Sequence, residues 1–252
     1  MIDLSGRVII VTGASSGIGQ SVAFYASRAG ARVALIGRDI NRLRETYDSI
    51  QNESRIFSLD LSKNIENISL TVERIRDTMG PIWGLVHAAG HHLVSPLRNI
   101  EESSFSNLIK INVTVFFELA KAVCHKKNID DRGGSLVAIA SMAAVTGDVG
   151  LSQYGAAKGA LISAVRSLAL ECAPRKIRFN CISPAMVQTP MFQKLAAYYP
   201  DQQSFAHSFE ARHPLGLGRP DDVAGSAVFL LSDMASWITG TNLIVDGGYS
   251  LG

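Results

Sequence analysis

The sequence predicts a doubly wound α/β fold, in which helices cover both faces of a mostly parallel β-sheet. Short runs rich in β-branched residues alternate with longer segments of helical periodicity, beginning with RVIIVTG and SVAFYASRAG. The strand runs are apolar almost throughout, which is typical of parallel strands buried on both faces. No repeat, low-complexity segment or linker interrupts this alternation, so we expect one domain over residues 1–252.

The predicted elements follow one another in a regular order. After the first pair come ARVALIG with INRLRETYDSI, RIFSLDL with ISLTVERIRDTMG, and IWGLVHAAG with SFSNLIKINVTVFFELAKAV. GSLVAIAS precedes the helix that contains YGAAK, and IRFNCISP precedes a polar insertion, the helix DDVAGSAVFLLSD and the last strand, NLIVDGG. Ligand sites in such folds lie at the carboxyl ends of the strands, so functional residues are expected directly after the strands.

Composition narrows the class of partner. Of the 252 residues, 47% are hydrophobic and 18% are charged, which is enough apolar sequence for a substantial core. The formal net charge of +2 argues against nucleic acid or an anionic membrane as the main partner, so a small molecule is expected. Apolar runs are shorter than the roughly 18 residues of a membrane span, and no leader pattern precedes VIIVTG, so a cytoplasmic protein is expected.

The three cysteines are widely spaced within apolar segments, at Cys124, Cys172 and Cys181. Their odd number and their spacing suit buried thiols better than a disulfide framework or a zinc site. We therefore expect a reducing compartment and no bound metal.

The first predicted strand ends in TGASSGIG, residues 12–19. Glycines at such a turn let the backbone approach a pyrophosphate, whose charge is stabilised by the amino end of the following helix. The expected phosphate-binding residues are Gly13, Ser15, Ser16, Gly17, Ile18 and Gly19. The alternative is a glycine-rich turn that binds no ligand.

Arg38 and Asp39 follow the second predicted strand, where such folds meet the adenosine ribose. A guanidinium there would pair with the 2′-phosphate of NADP(H), whereas a carboxylate would accept hydrogen bonds from the ribose hydroxyls of NAD(H). Arg38 therefore favours NADP(H). A shift of one residue would make Asp39 the ribose ligand and NAD(H) the cofactor. A separate alternative is that Arg38 is a solvated loop charge.

Tyr154 and Lys158 lie four residues apart in the helical run QYGAAK, so they share one helix face. An ammonium near a phenol stabilises the phenolate and lowers the pKa of the phenol from about 10. We therefore predict that Lys158 lowers the pKa of Tyr154, which then acts as a general acid/base on a substrate oxygen. The alternative is an ordinary amphipathic helix with a surface tyrosine and lysine.

Four features occur together in one order: TGASSGIG, Asn112 in the fourth predicted helix, Ser141 after the fifth strand, and YGAAK. Over nearly the whole chain this pattern resembles the short-chain dehydrogenase/reductase family, and it is similar to the 3-oxoacyl-(acyl-carrier-protein) reductases in that family. The resemblance implies a seven-stranded Rossmann fold, NAD(H) or NADP(H), and a catalytic tetrad. Tyr154 would move the proton, and Lys158 would also hold the nicotinamide ribose. Ser141 would bind the substrate oxygen, and Asn112 would distort its helix to place a water.

The resemblance also implies contacts with the cofactor beyond the glycine turn. Thr12 corresponds to a threonine that orders the loop, and Asp60, with Leu61 beside it, to an aspartate that hydrogen-bonds the adenine. Asp60 could instead cap a helix, and Ser141 could merely cap a loop. The other implied contacts are Ala89, Gly90 and Pro184, together with two residues on the nicotinamide side, Val187 and Thr189.

Two positions depart from the family pattern. His87-Ala88-Ala89-Gly90 stands where the family usually has Asn-Asn-Ala-Gly, so two amides that brace the central sheet are lost. Ala185 follows Pro184 where a glycine is usual, and it would carry strain if that position required positive φ. We expect the first departure to affect stability rather than catalysis, and the second to be tolerated.

Three further segments have less specific interpretations. His91 and His92 point to opposite sides of an extended segment, so we expect either a substrate contact or a surface role rather than a shared metal. The C-terminal GTNLIVDGGYSLG resembles a tail buried between subunits, which implies a homotetramer or homodimer. A substrate lid, or else a helical excursion, is predicted over residues 187–215, where the insertion Met191 to His213 carries Tyr198, Tyr199, Phe205 and Phe209.

Together these features predict an NADP(H)-preferring oxidoreductase that interconverts a carbonyl and a secondary alcohol, with reduction of a 3-oxoacyl group on acyl carrier protein as the first candidate. One alternative is an NAD-dependent dehydrogenase of a sugar, polyol, steroid or secondary metabolite. Another is a nucleotide-binding regulator without turnover, which the intact tetrad argues against. A basic patch that docks an acidic carrier would draw on Arg166, Arg175, Lys176 and Arg178.

Overall fold

The fold is a seven-stranded sheet in which all neighbouring strands are parallel. The computed structural model describes residues 2–197, 201 and 207–251. The strand order is β3-β2-β1-β4-β5-β6-β7, which confirms the predicted fold class. The strands are β1 (Val8–Thr12), β2 (Arg32–Gly37), β3 (Ser54–Ser58), β4 (Ile82–His87), β5 (Gly134–Ile139), β6 (Ile177–Pro184) and β7 (Asn242–Val245).

Helices connect the strands and cover both faces of the sheet. A π-helical turn, Lys110–Thr114, joins the fourth and fifth helices. Within the described ranges, no helix combines the length and apolarity needed to cross a bilayer. The α-helices with both ends among the described residues are α1 (Gly17–Arg28), α2 (Ile40–Ser49), α3 (Ile68–Met79), α4 (Glu102–Ile109), α5 (Val115–Val123), α6 (Ser152–Cys172), α7 (Pro190–Ala196) and α8 (Pro220–Leu231).

Two apolar cores lie on opposite faces of the sheet. In β1, Val8 and Ile10 belong to the core shared with α3, α5 and α6, whereas Ile9 and Val11 belong to the core shared with α1 and α8. Successive side chains of a strand point to opposite faces, so both sets are buried and the strand is apolar throughout. The buried strands hold their carboxyl ends in fixed positions, on which the site is built.

The strand order reverses at β1, which pairs with β2 on one side and with β4 on the other. In open α/β sheets this reversal opens a crevice at the carboxyl ends of the two diverging strands. The loops after β1, β4, β5 and β6 therefore converge at one edge of the sheet.

Candidate active site

The loop after β1 forms a tight turn at the amino end of α1. Gly13 has a φ of 66°, and a Cβ there would lie 2.9 Å from the backbone of Ala88 and Ala89. A Cβ at Gly19 would overlap the carbonyl oxygen of Gly13, so both positions require glycine. Ser16 is the N-cap of α1, yet its side chain makes no capping hydrogen bond. The turn thus leaves the first N–H groups of α1 to an anion, as a pyrophosphate requires.

Thr189 connects this turn to the loop after β6. It is the N-cap of α7, where its hydroxyl accepts a hydrogen bond from the backbone N–H of Phe192 at 3.3 Å. Its methyl group lies 3.1 Å from the Cβ position of Gly17, and Ser15 is partly exposed on the same turn. Of the expected contacts in these two loops, Ile18, Pro184, Val187 and Thr189 line one cavity. The other residues of the glycine turn do not line it.

The two charged residues after β2, Arg38 and Asp39, make different contacts. Asp39 caps α2 by accepting hydrogen bonds from the backbone N–H groups of Asn41 and Arg42 at 3.1 and 3.2 Å. Arg38 is exposed beside it. The carboxylate of Asp39 thus caps α2, whereas the guanidinium of Arg38 neither caps a helix nor packs into the core.

Asp60 lies after β3, close enough to Arg38 for their charges to interact. Its Oδ1 accepts hydrogen bonds from the backbone N–H of Ser62 at 3.0 Å and from the Ser62 hydroxyl at 2.6 Å. The Ser62 hydroxyl is the main cause that lowers the pKa of Asp60, and Arg38 adds to it. The side chain of Leu61 packs into the core, so any contact it makes with an adenine is made by its backbone.

Asn112 occupies the middle of the π-helical turn, so the expected helix distortion is present. Its side chain is fully buried, and Nδ2 donates to the carbonyl oxygens of His91 at 3.1 Å and Leu108 at 3.0 Å. Its Oδ1 has no hydrogen-bond partner in the described part of the chain. A buried acceptor without a partner is costly, and a site that binds water or ligand explains it.

Lys158 reaches the same point from α6. Its Nζ is buried and donates to the carbonyl oxygen of Ile139 at 2.8 Å, and burial lowers the pKa of Lys158 to about 8. A Cβ on Gly90 would lie 2.6 Å from Oδ1 of Asn112 and 3.3 Å from Nζ of Lys158. The glycine after β4 therefore keeps open the gap between these two polar groups.

Tyr154 is half-buried and lines the cavity, with its ring centroid 5.7 Å from Nζ of Lys158. Burial raises the pKa of Tyr154 to about 12, and a hydrogen bond with Ser141 acts against this rise. Ser141 also caps the turn after β5, accepting from the N–H of Ala143 at 3.2 Å. The contact that lowers the pKa of the phenol is thus Ser141, rather than Lys158 as the helical spacing predicted.

His87 takes over part of the bracing expected to be lost. The side chain is fully buried at the end of β4, and its Nδ1 is hydrogen-bonded to Oγ1 of Thr12 at 3.1 Å. The same Oγ1 accepts the backbone N–H of Ala89 at 3.1 Å, so Thr12 orders the loop after β4. Burial lowers the pKa of His87 to about 3, with Lys158 a smaller cause, so the ring is neutral. The imidazole thus joins β4 to β1, but its Nε2 has no hydrogen-bond partner in the described part of the chain, so the expected effect on stability stays a prediction.

The cavity at this edge has a volume of about 180 Å³ and contains the whole tetrad. A more open hollow between α2, β3 and α3 contains none of these side chains. Across the described residues, no group of three or more His, Cys, Asp or Glu side chains is arranged to hold a metal ion. The cavity is also lined by residues of the loop and helix after β6 and of the C-terminal segment, namely Met191, Phe192, Leu195, Phe209, His213 and Tyr249.

Among the aromatic residues of this cavity, sequence reasoning left His92 undecided between a substrate contact and a surface role and did not place Tyr249 there. The ring of His92 lies edge-on to Tyr154, with 4.7 Å between the centroids and 69° between the planes. Tyr249 comes from the C-terminal tail, which was interpreted only as a subunit interface. No local motif marks either residue; the signal for His92 is its place just after β4.

Two remaining expectations concern the loops. Lys176 is the sole non-glycine residue with positive φ among those described, so Ala185 carries no such strain. That the alanine is tolerated next to a bound cofactor stays a prediction. Of the aromatic residues in the predicted lid, Phe209 lines the cavity, whereas Tyr198, Tyr199 and Phe205 lie outside the described residues.

Comparisons with known proteins agree with this arrangement. A family model described as Enoyl-(Acyl carrier protein) reductase matches residues 13–250. An NAD-dependent glycerol dehydrogenase from Listeria innocua is 34% identical, over 99% of this chain and 96% of the relative. The chain belongs to the short-chain dehydrogenase/reductase family. A 3-oxoacyl-(acyl-carrier-protein) reductase from Vibrio cholerae, also in this family, is 32% identical over 98% of both chains.

Solved structures of this family share the fold. A glucose/ribitol dehydrogenase from Brucella melitensis superposes with a TM-score of 0.90 at 29% identity, covering 98% of both chains. An aldohexose dehydrogenase from Thermoplasma acidophilum gives a TM-score of 0.88 at 29% identity, covering 100% of this chain and 96% of that one. The protein is therefore an oxidoreductase of the short-chain type, a class that uses NAD(H) or NADP(H) on small-molecule substrates.

Proposed function

We propose that this chain is an NADP(H)-preferring oxidoreductase that interconverts a carbonyl and a secondary alcohol, with Tyr154 as the general acid/base. The observation that carries this proposal is the convergence of Ser141, Tyr154 and Lys158 on one cavity, which Ile18 of the glycine turn also lines. The glycine turn, the uncapped amino end of α1 and the space kept by Gly90 fit a dinucleotide. The nicotinamide of that cofactor supplies or accepts the hydride when bound.

Ser141 and Tyr154 act on one substrate oxygen. Their mutual hydrogen bond brings both hydroxyls to the same point, where Ser141 holds the oxygen and Tyr154 gives or takes its proton. Because burial raises the pKa of Tyr154 to about 12, the phenol carries its proton at neutral pH, which suits carbonyl reduction. A water held between Oδ1 of Asn112 and Nζ of Lys158 would replace that proton from solvent.

The preference for NADP(H) is supported by the division of tasks after β2. Asp39 is committed to capping α2, and the exposed Arg38 is the group that remains for a 2′-phosphate. The alternative, an NAD-dependent dehydrogenase, is favoured by the name of the Listeria relative. Dissociation constants for NADPH and NADH separate the two, and tighter binding of NADH would contradict the assignment of Arg38.

The substrate class has two candidates. The Vibrio relative favours a 3-oxoacyl group on acyl carrier protein, whereas the glycerol, glucose/ribitol and aldohexose dehydrogenases favour a small polyol or sugar. The basic residues predicted to dock an acyl carrier protein do not support the 3-oxoacyl candidate. Arg175 donates to the carbonyl of Cys124 at 2.7 Å, and Arg178 donates to that of Ser232 at 3.2 Å. Arg175, Lys176 and Arg178 lie by the amino end of β6, opposite the cavity.

We also infer that residues 187–215 cover bound substrate, since Met191, Phe192 and Phe209 line the cavity.

A homotetramer or homodimer is supported by exposed apolar side chains near the C-terminus, including Trp237 at 98% exposure. The three cysteines are free thiols, which supports a cytoplasmic location.

The Tyr154→Phe variant tests the proposed chemistry. Wild-type protein is assayed for NADPH-dependent reduction of a panel of ketones, 3-oxoacyl thioesters and sugars. Removal of the proton donor should lower kcat by about 10²- to 10⁴-fold and leave the Kd for NADPH unchanged. Retained turnover in the variant would refute the role of Tyr154, and a wild-type protein that binds NADPH without turning over any compound would favour a regulator.

A further inference from the structure

His92 is a polar side chain of the cavity that the mechanism above does not use. It belongs to the segment between β4 and α4, and its half-buried ring meets the edge of the Tyr154 ring with 4.7 Å between centroids. It lines the same cavity as Ser141 and Lys158. A group at this position lies beside any substrate whose oxygen is held by Ser141 and Tyr154.

The ring of His92 offers unused hydrogen-bonding capacity. Burial, helped by the charges of His91 and Lys158, lowers the pKa of His92, so the imidazole is neutral at neutral pH. A neutral imidazole has one N–H donor and one nitrogen acceptor. Neither nitrogen has a hydrogen-bond partner within residues 2–197 and 207–251. Such a group suits a hydroxyl or carbonyl oxygen better than a carboxylate or phosphate.

The other polar side chains of the cavity outside the tetrad are already engaged. Thr146 donates to the carbonyl of Met142 at 3.1 Å, and Asp148 lies 3.8 Å from the guanidinium of Arg212. His213 is held at both nitrogens, since Nε2 accepts the N–H of Met186 at 3.3 Å and Nδ1 contacts the carbonyl of Phe209. Two others are engaged as well, Thr189 as an N-cap and Tyr249 by Arg212.

We propose that His92 hydrogen-bonds a second oxygen of the substrate, carried one or two carbons from the carbon that exchanges hydride. The preferred substrates are then 1,2- or 1,3-dioxygenated compounds, such as hydroxyketones and the corresponding diols, rather than simple ketones. This inference rests on the proposed oxidoreductase function and narrows its substrate class. It also assigns His92 as a specificity-determining residue.

Two variants separate the hydrogen bond from the ring. His92→Phe keeps an aromatic edge against Tyr154 and removes both nitrogens, whereas His92→Asn keeps a donor and an acceptor without the ring. The readout is the ratio of kcat/KM for a hydroxyketone to that for the matched ketone, for example 3-hydroxy-2-butanone against 2-butanone. The matched control is His91→Phe, because the side chain of His91 is exposed.

We expect the wild-type ratio to exceed one and to fall about tenfold in His92→Phe, the effect of one neutral hydrogen bond. His92→Asn should recover part of the ratio, and His91→Phe should keep the wild-type ratio. An unchanged ratio in His92→Phe, or an equal loss for both substrates, would overturn the proposal and leave His92 as a packing residue.

A binding measurement keeps this test independent of turnover. For this measurement the pair is 3-hydroxy-3-methyl-2-butanone, whose tertiary alcohol cannot be oxidised, and 3,3-dimethyl-2-butanone. Their affinities for the NADP+ complex, in which neither ketone can be reduced, are measured by calorimetry for the same variants. A selective loss of hydroxyketone affinity in His92→Phe supports the role of His92 even in an inactive protein, while the absence of any turnover would refute the proposed function alone. No selectivity in wild-type binding would overturn the role of His92.

Discussion

The two edges of the sheet hold their buried cations differently. At the amino edge, Arg7 lies 2.6 Å from the carboxylate of Asp233, and its guanidinium lies 3.8 Å from the centre of the Trp83 ring. At the carboxyl edge, Lys158 is similarly buried, at 5% exposure against 8% for Arg7. Its hydrogen bond is to the carbonyl of Ile139, and no described carboxylate lies within ion-pair distance. The charge of Arg7 at the amino edge is therefore neutralised by a carboxylate, whereas the charge of Lys158 at the carboxyl edge has no carboxylate partner among the described residues.

Buried amides without a full set of partners occur at both edges. At the amino edge, Oδ1 of Asn128 has no hydrogen-bond partner in the described region, and at the carboxyl edge the same holds for Oδ1 of Asn112. The two differ in their surroundings, since Asn112 lines the cavity that contains the tetrad and Asn128 does not. An unsatisfied buried group destabilises the fold, and at Asn112 the cavity offers room for a water or ligand that would satisfy it.

The largest expected effect separates stability from activity at the carboxyl edge. Lys158→Met should lower kcat/KM by at least about 10²-fold, because the proton relay and the ribose contact are lost. Its free energy of unfolding at pH 7 should stay the same or rise, since burial already opposes the charge and lowers the pKa of Lys158 to about 8. Steady-state kinetics and urea unfolding measure both. A large loss of stability in Lys158→Met would show that the buried lysine stabilises the fold, as Arg7 does, and would contradict the difference between the two edges.

The next largest effect is expected at Arg38, the exposed arginine after β2. Arg38→Leu should raise the Kd for NADPH about 10- to 100-fold through the loss of charge-assisted hydrogen bonds. The Kd for NADH should stay within about twofold, since NADH has no 2′-phosphate. Arg44→Leu, at an exposed position of α2, is the control and should change neither constant. An equal rise of the Kd for NADPH and for NADH would show that Arg38 does not bind the 2′-phosphate.

A third prediction uses the buried imidazole of His87. Its pKa falls from 6.5 to about 3 on folding, so the unfolded chain binds a proton that the native chain does not. The contribution of His87 is fully present above pH 6.5 and is lost as the pH falls toward 3, by up to about 1.4 kcal/mol per pH unit. His87→Asn should therefore show a shallower loss of unfolding free energy between pH 7 and pH 5. Equal slopes for both proteins would argue against a neutral buried ring.

The smallest effect is expected at the amino edge. Arg7→Met should lower the free energy of unfolding by about 1 to 2 kcal/mol, because Asp233 is 74% exposed and stays solvated without its partner. Its kcat/KM should equal that of the wild type. The exposed pair of Arg55 with Glu53, at 3.8 Å, provides the control, and Arg55→Met should change stability by less than about 0.5 kcal/mol. Altered kinetics in Arg7→Met would show that the edges are coupled.

Much of the site could be placed from sequence because its residues follow strand ends. Ser141 comes directly after β5, and Gly90 follows β4 by a short loop. In a parallel sheet these ends meet at one edge, so the order of the motifs already brings the residues together. Tyr154 and Lys158 reach the same edge from α6, whose helical period was evident in the sequence.

The interactions of those residues were harder to predict. The spacing of Tyr154 and Lys158 indicated a shared helix face, yet the contact that lowers the pKa of Tyr154 is Ser141. Asp39 was a candidate ribose ligand, and only the structure showed that its Oδ1 caps α2. His92 had no partner in any local pattern, and the fold alone brings it to Tyr154.

The sequence by itself determined the fold class, the number and order of the strands, and the edge at which the tetrad lies. These properties follow from the apolar periodicity of neighbouring residues and from the place of each motif after a strand. The tertiary structure alone decided that the ring of His87 is neutral, that no described carboxylate pairs with the buried Lys158, and that His92 lines the cavity of the tetrad. Burial and hydrogen-bond partners come from residues distant along the chain, so no local pattern contains them.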